Sequence, residues 1–146
     1  GLPLVISPRW DASLPFLRRF LQVNRKWIDE MLVQYGAILV RGFDINTAHD
    51  IQVAVQAYQP NLNATYRGTS PRNIQLGTEF VFSAAEVPTH YPIAQHLEMS
   101  FLEAPPKQLY FGCLKPSACA GGETSLCHFG NVYQDVSPQL KQKLLD

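Results

Sequence analysis

The sequence predicts an α+β protein dominated by β-structure, with helices near its N-terminus and the short antiparallel strands of a sandwich or jelly roll after them. Three observations predict it: apolar residues at helical spacing over 24–35, a helix-capping pattern at Thr47, and a change of texture beyond Pro60. There the chain becomes a series of short apolar segments broken by Gly and Pro, the pattern of strands joined by turns.

The elements follow in order. Trp27, Ile28, Met31, Leu32 and Tyr35 share one face of a helix, with Asn24 as its N-cap and Gly36 just past its end. Ala37–Arg41 is a short apolar run before Gly42 and is expected to be a buried strand. Thr47, with Asp50 three residues on, resembles a capping box and starts a helix to about Tyr58. The first third is thus helix, strand, helix. Strands are expected over Asn73–Ser83, Ile93–Phe101, Lys107–Leu114 and Thr124–Cys127. A last helix opens at Ser137, its N-cap, with Pro138 at the first position.

Composition bounds the function. The 146 residues suffice for one domain, 1–146, burying about 70% of its unfolded surface without staples. Twelve basic residues balance twelve acidic ones, and apart from Arg18–Arg19 and Arg25–Lys26 the basic ones are scattered, so no nucleic-acid partner is expected. Apolar runs such as Ala37–Val40 are far shorter than the roughly 20 residues that span a bilayer, and no leader opens the chain. A soluble, cytoplasmic protein is the expectation. Cys113, Cys119 and Cys127 lack C-x-x-C spacing and are expected to be buried free thiols. Residue 1 is Gly and Asp146 falls inside a predicted helix, so both ends are expected to continue into a longer chain.

The chemistry is concentrated in Gln95-His96-Leu97-Glu98-Met99. On a strand, side chains alternate between faces, so His96 and Glu98 would share one face, their Cα atoms about 6.5–7 Å apart. An imidazole and a carboxylate at that span can converge on one ion, and this N/O donor mix suits Fe(II) in the two-His-one-carboxylate arrangement. The pair alone does not establish a metal site, because a polar strand face carrying both residues is the plain alternative. A second element, Gly121-Gly122-Glu123-Thr124, supplies the positive φ angles of a tight turn before another strand.

In order, His96-x-Glu98, the Pro105-Pro106 break, Tyr110-Phe111 and Gly121-Gly122-Glu123-Thr124 resemble the taurine dioxygenase (TauD/TfdA) family, most closely its clavaminate synthase-like members. Tyr35-Gly36-Ala37-Ile38-Leu39-Val40-Arg41-Gly42-Phe43, Ser70-Pro71-Arg72 and Glu86-x-Pro88 are similar to the segments that precede the family's metal motif. The resemblance covers nearly the whole chain. It implies a double-stranded β-helix with N-terminal helices, incomplete at the C-terminus, and an Fe(II)- and 2-oxoglutarate-dependent dioxygenase acting on a small amino-acid-like metabolite with dioxygen. His96 and Glu98 would bind iron, and the Thr124 hydroxyl would hold the distal carboxylate of 2-oxoglutarate. Arg72 and Arg67 are candidate substrate contacts, with a solvated guanidinium beside a turn as the alternative.

The family's second His and its 2-oxoglutarate-binding Arg have no counterpart after Thr124, so a segment beyond Asp146 is expected to supply them and to cover the open sheet face, unless a second copy does. His49, His90 and His128 are expected to have ordinary structural or surface roles. A retained Glu98 argues against halogenation, which needs that position vacated for chloride. Two other readings stay open: a non-catalytic jelly-roll remnant serving as an interaction module, and a cupin or sugar-binding jelly roll, which would call for histidine patterns such as His-x-His.

Overall fold

The structure, a computed structural model, describes residues 2–84, 88, 90, 91, 93–118 and 121–145. Glu86 and Cys119, named above, lie outside the described residues. The element order is β1 (Leu4–Ile6), α1 (Leu14–Val23), α2 (Arg25–Tyr35), β2 (Ile38–Val40), α3 (Ala48–Tyr58), α4 (Phe129–Asp135) and α5 (Pro138–Leu145). None of these helices is long and apolar enough to cross a membrane.

Helix α1 was not anticipated, although its signals are in the sequence. Ser13 caps it by accepting from the Phe16 N–H at 3.3 Å, Pro15 sits in its first turn, and Leu14, Leu17 and Leu21 fall on one face. Leu17 and Leu21 are buried against α3, which contributes Ala54 and Tyr58, and Ile28 of α2 completes the buried cluster. Asn24 separates α1 from α2. It does not cap α2 with its side chain as expected, because its Nδ2 donates backward to the Phe20 carbonyl of α1 at 2.8 Å. Gly36 ends α2 as predicted, left-handed at φ 74°, with its N–H on the Leu32 carbonyl at 2.8 Å.

β1 and β2 pair in parallel, Leu4 with Ile38 and Ile6 with Val40, which the intervening α1–α2 crossover makes possible. Contrary to expectation, β2 is not buried: Leu39 and Val40 are 40% and 37% exposed. A two-stranded ribbon has too few neighbours to cover both faces.

The capping box on α3 is present in full. Thr47 Oγ1 accepts from the Asp50 N–H at 3.1 Å, while Asp50 Oδ2 accepts from the Thr47 N–H at 2.9 Å and the Asn46 N–H at 3.0 Å. The Asn46 N–H, then Thr47, hold the Asp50 carboxyl below its usual range. Buried Gln52 reaches from α3 to the segment beyond it, its Oε1 accepting from the Glu79 and Phe80 N–H groups at 2.7 and 3.1 Å. Those residues belong to a short antiparallel hairpin, where Gln75 N–H bonds Val81 O at 2.8 Å, Ser83 N–H bonds Asn73 O at 2.7 Å, and Gly77 turns the chain at φ 76°.

The remaining strand predictions do not match. Ile93–Phe101 runs as irregular chain into a turn over 98–101, and neither Lys107–Leu114 nor Thr124–Cys127 forms a strand. A strand persists only where a neighbour takes up its backbone N–H and C=O groups, and among the described residues none of these segments has such a partner. The double-stranded β-helix is therefore not seen among the described residues. Lys107–Leu114 does lie along α3, with Tyr110 edge-on to Tyr58 at 6.2 Å and Gly112 so close to Ile51 that a Cβ would overlap it.

Two short helices close the chain. Unanticipated α4 is capped by His128 Nδ1, which accepts from the Asn131 N–H at 3.3 Å. The predicted α5 starts on Ser137 Oγ, which accepts from the Leu140 N–H at 3.3 Å.

Leu17 is the most deeply buried side chain, at 2% exposure. Leu17→Ala should lower unfolding stability by about 2–5 kcal/mol, and Thr47→Ala at the exposed cap by about 1 kcal/mol. Urea unfolding monitored by circular dichroism measures both.

Candidate metal centre

His96 and Glu98 come together, though not on a strand. Residues 94–97 are irregular, and the chain then tightens, with Ser100 N–H on Leu97 O at 3.4 Å and Leu102 N–H on Met99 O at 3.0 Å. Met99 takes φ 53°, in the left-handed region that a non-glycine residue seldom occupies. At the start of this turn, Glu98 Oε2 lies 3.3 Å from His96 Nε2. The carboxylate is 22% exposed and the imidazole 57%.

The hydrogen bonds assign each atom a part. His96 Nδ1 lies 2.8 Å from the Ala94 carbonyl, which can only accept, so Nδ1 carries a hydrogen. In the neutral ring this leaves the Nε2 lone pair facing Glu98, the orientation that a backbone carbonyl imposes on metal-ligating histidines. The Ala94 carbonyl first, and then Glu98, raise the His96 pKa above its ordinary value. Glu98 Oε1 accepts from the Tyr66 hydroxyl at 3.2 Å. Tyr66 had no place in the sequence reading, and no spacing rule points to it, since the contact joins residues 32 apart.

The other predicted site residues are placed as follows. Thr124 is exposed, two residues after Gly122; Gly121 and Gly122 have φ 107° and 82°, the positive angles expected of this turn. No hydrogen bond joins Thr124 to His96 or Glu98 among the described residues. Arg67 is exposed. Arg72 is partly buried, its Nη1 donating to the Ser83 carbonyl at 3.2 Å and its guanidinium 5.2 Å from the centre of the Tyr66 ring. Tyr66, Gly68, Ser70, Arg72 and Phe82 line an open cleft of about 530 Å³. His128 caps α4 and His90 stacks on Tyr91 at 4.4 Å. Cys113 and Cys127 are exposed rather than buried, because the segments carrying them are not folded into a sheet.

The donor set tests the fit to iron. A neutral imidazole nitrogen and a carboxylate oxygen, 3.3 Å apart, are suited to two positions of the two-His-one-carboxylate arrangement. No group of three or more His, Cys, Asp or Glu that could hold a metal occurs among the described residues. The pair thus fits as part of a centre that needs one more protein ligand.

Sequence comparison shows the family to which a chain with this order of motifs belongs. The model of the family described as "Taurine catabolism dioxygenase TauD, TfdA family" matches residues 2–146, and the chain belongs to the TauD/TfdA family. It is 32% identical to a clavaminate synthase-like protein of Arabidopsis thaliana, over 97% of this chain and 45% of that protein. It is 29% identical to the 3-((Z)-2-isocyanoethenyl)-1H-indole synthase of Fischerella ambigua, over 91% of this chain and 39% of that protein. A dapdiamide synthesis protein of Enterobacter agglomerans is also 29% identical, over 80% of this chain and 36% of its own length. The chain therefore spans less than half the length of these relatives. Members of the family are typically dioxygenases, and the family implies a jelly-roll fold.

The geometry predicts a titration in the metal-free protein. A raised folded-state pKa means that the His96⁺–Glu98⁻ interaction stabilises the fold below the unfolded histidine pKa and is lost as pH rises through the higher folded value. Imidazole NMR should show His96 titrating above the ordinary 6.5. Glu98→Gln should return it only part of the way, because the Ala94 carbonyl remains.

Proposed function

We propose that the protein is an Fe(II)- and 2-oxoglutarate-dependent oxygenase, built on one jelly-roll domain to which residues 1–146 belong. The observation that carries this reading is the 3.3 Å approach of His96 Nε2 and Glu98 Oε2 in a chain of the TauD/TfdA family. Iron held there with 2-oxoglutarate would supply oxidation of a substrate by dioxygen, coupled to decarboxylation of the cosubstrate to succinate.

The residues of this chain have separate tasks. His96 offers a neutral Nε2, kept in that tautomer by the Ala94 carbonyl, and Glu98 offers an anionic oxygen beside it. A carboxylate at this position leaves no room for chloride, which favours hydroxylation or a related oxidation. The Thr124 hydroxyl donates to the distal carboxylate of 2-oxoglutarate. The third protein ligand and the arginine for that carboxylate come from a segment outside this chain. Arg72, which lines the open cleft, and Arg67, next in the chain to its lining residues Tyr66 and Gly68, contact the substrate. A small, amino-acid-like metabolite is the proposed substrate, in keeping with relatives named for the synthesis of an indole derivative and of dapdiamide.

In the full-length protein, His96→Ala or Glu98→Ala should abolish succinate formation from 2-oxoglutarate. Thr124→Ala should leave turnover largely intact but raise the 2-oxoglutarate KM roughly ten- to hundredfold, since a hydrogen bond to a charged group is worth about 1.5–3 kcal/mol. Steady-state kinetics decide the matter: wild-type turnover in the His96 or Glu98 variant would overturn their assignment as metal ligands, and absence of turnover in the unmodified full-length protein would favour a non-catalytic jelly-roll module.

A further inference from the structure

We infer that Tyr66 is a positioning residue for Glu98: its hydroxyl holds one carboxylate oxygen so that the other is presented beside His96. The inference rests on the reading of His96 and Glu98 as metal ligands.

The two oxygens of Glu98 are used differently. Oε2 faces His96 at 3.3 Å, and Oε1 accepts from the Tyr66 hydroxyl at 3.2 Å. A glutamate side chain has several rotatable bonds, and fixing them costs conformational entropy each time a metal is bound. A donor already on Oε1 removes that freedom beforehand and sets which oxygen turns to the ion. Partners of this kind on metal-binding carboxylates typically carry tenfold or more of the metal affinity.

Tyr66 is itself held by two neighbours. Its ring lies 6.3 Å from that of Phe82, tilted by 42°, and the Arg72 guanidinium stands 5.2 Å from its centre. Arg72 is anchored in turn on the Ser83 carbonyl at 3.2 Å. Phe82 and Ser83 are on the return arm of the hairpin that Gln52 fastens to α3. A continuous line of contacts therefore runs from the helical core to the carboxylate. The third support is an absence: a Cβ at Gly68 would overlap the Tyr66 hydroxyl and ring. Gly68 does not occupy the left-handed region, so it is the missing side chain, and not backbone freedom, that lets the phenol lie where it does. Packing alone would be served equally by phenylalanine, whereas the hydroxyl is directed at Glu98.

The test uses Co(II) as the probe in the full-length protein, followed by its visible absorption without 2-oxoglutarate or substrate. Tyr66→Phe keeps the ring and should weaken Co(II) binding about 10- to 100-fold and shift the visible bands, with the urea midpoint close to wild type. Gly68→Ala should weaken binding in the same direction by displacing the hydroxyl, and should add nothing in a Tyr66→Phe background, because both act through one hydrogen bond. His96→Ala serves as the reference. If it loses Co(II) while Tyr66→Phe and Gly68→Ala keep wild-type affinity and spectrum, the role of Tyr66 is overturned; if it binds Co(II) like wild type, the metal-site reading itself falls.

Discussion

The contact on which the rest of the structure depends is the packing of α1 across α3, where Leu17 and Leu21 are buried against Ala54 and Tyr58. Burial of a leucine side chain contributes about 1.5–3 kcal/mol relative to leaving it in water, and Ala54 allows the two helices to approach closely. With α3 fixed, its polar side chains can act as anchors. Gln52 takes up two N–H groups of the hairpin, and the Tyr58 hydroxyl donates to Asp29 of α2 and accepts from Gln108 at 3.4 Å. Burial first, then Asp29, pushes the Tyr58 pKa up to about 12, so the phenol remains a donor throughout the physiological range. One helix thereby organises the segments on both sides of His96 and Glu98.

His96 and Glu98 converge on a backbone other than the strand expected of them. A strand would have placed His96 and Glu98 on one face by alternation. Here an irregular segment that enters a turn at Glu98 does the equivalent work, with Glu98 in contact with both Tyr66 and His96. The chemistry depends on where Nε2 and Oε2 end up, so the site tolerates this exchange of local structure.

What could be read from the sequence follows from how local each signal is. The Thr47–Asp50 capping box, the left-handed Gly36, the Ser137 cap and the positive φ angles of Gly121 and Gly122 involve residues at most a few positions apart, and all are present. The His96-x-Glu98 pair belongs to the same group. Helix α1 is signalled as locally, by the Ser13 cap, Pro15 in the first turn and the spacing of Leu14, Leu17 and Leu21, with Arg18 and Arg19 on its exposed face. Helix α4 had no usable signal, because Gly130 and Asn131 are poor helix formers and its cap is a histidine. The strand assignments depended on partners, which periodicity alone does not supply. Tyr66 is the extreme case: its part is set by Gly68, Phe82, Arg72 and Glu98 together, and only the fold brings these to one place.

The two candidate ligands are held by unlike means, and this gives the centre a fixed end and a following end. His96 is oriented by the carbonyl two residues before it, a contact that travels with its own segment wherever that segment goes. Glu98 is oriented by a residue 32 positions away, and through Tyr66, Arg72 and the hairpin it is tied to the helical core. Metal affinity needs both donors at bonding distance together, and a centre gains most when the donor with more rotatable bonds is the one fixed in advance. Glutamate has more of them than histidine. In this chain the long-range support is placed on the ligand that stands to lose the most freedom.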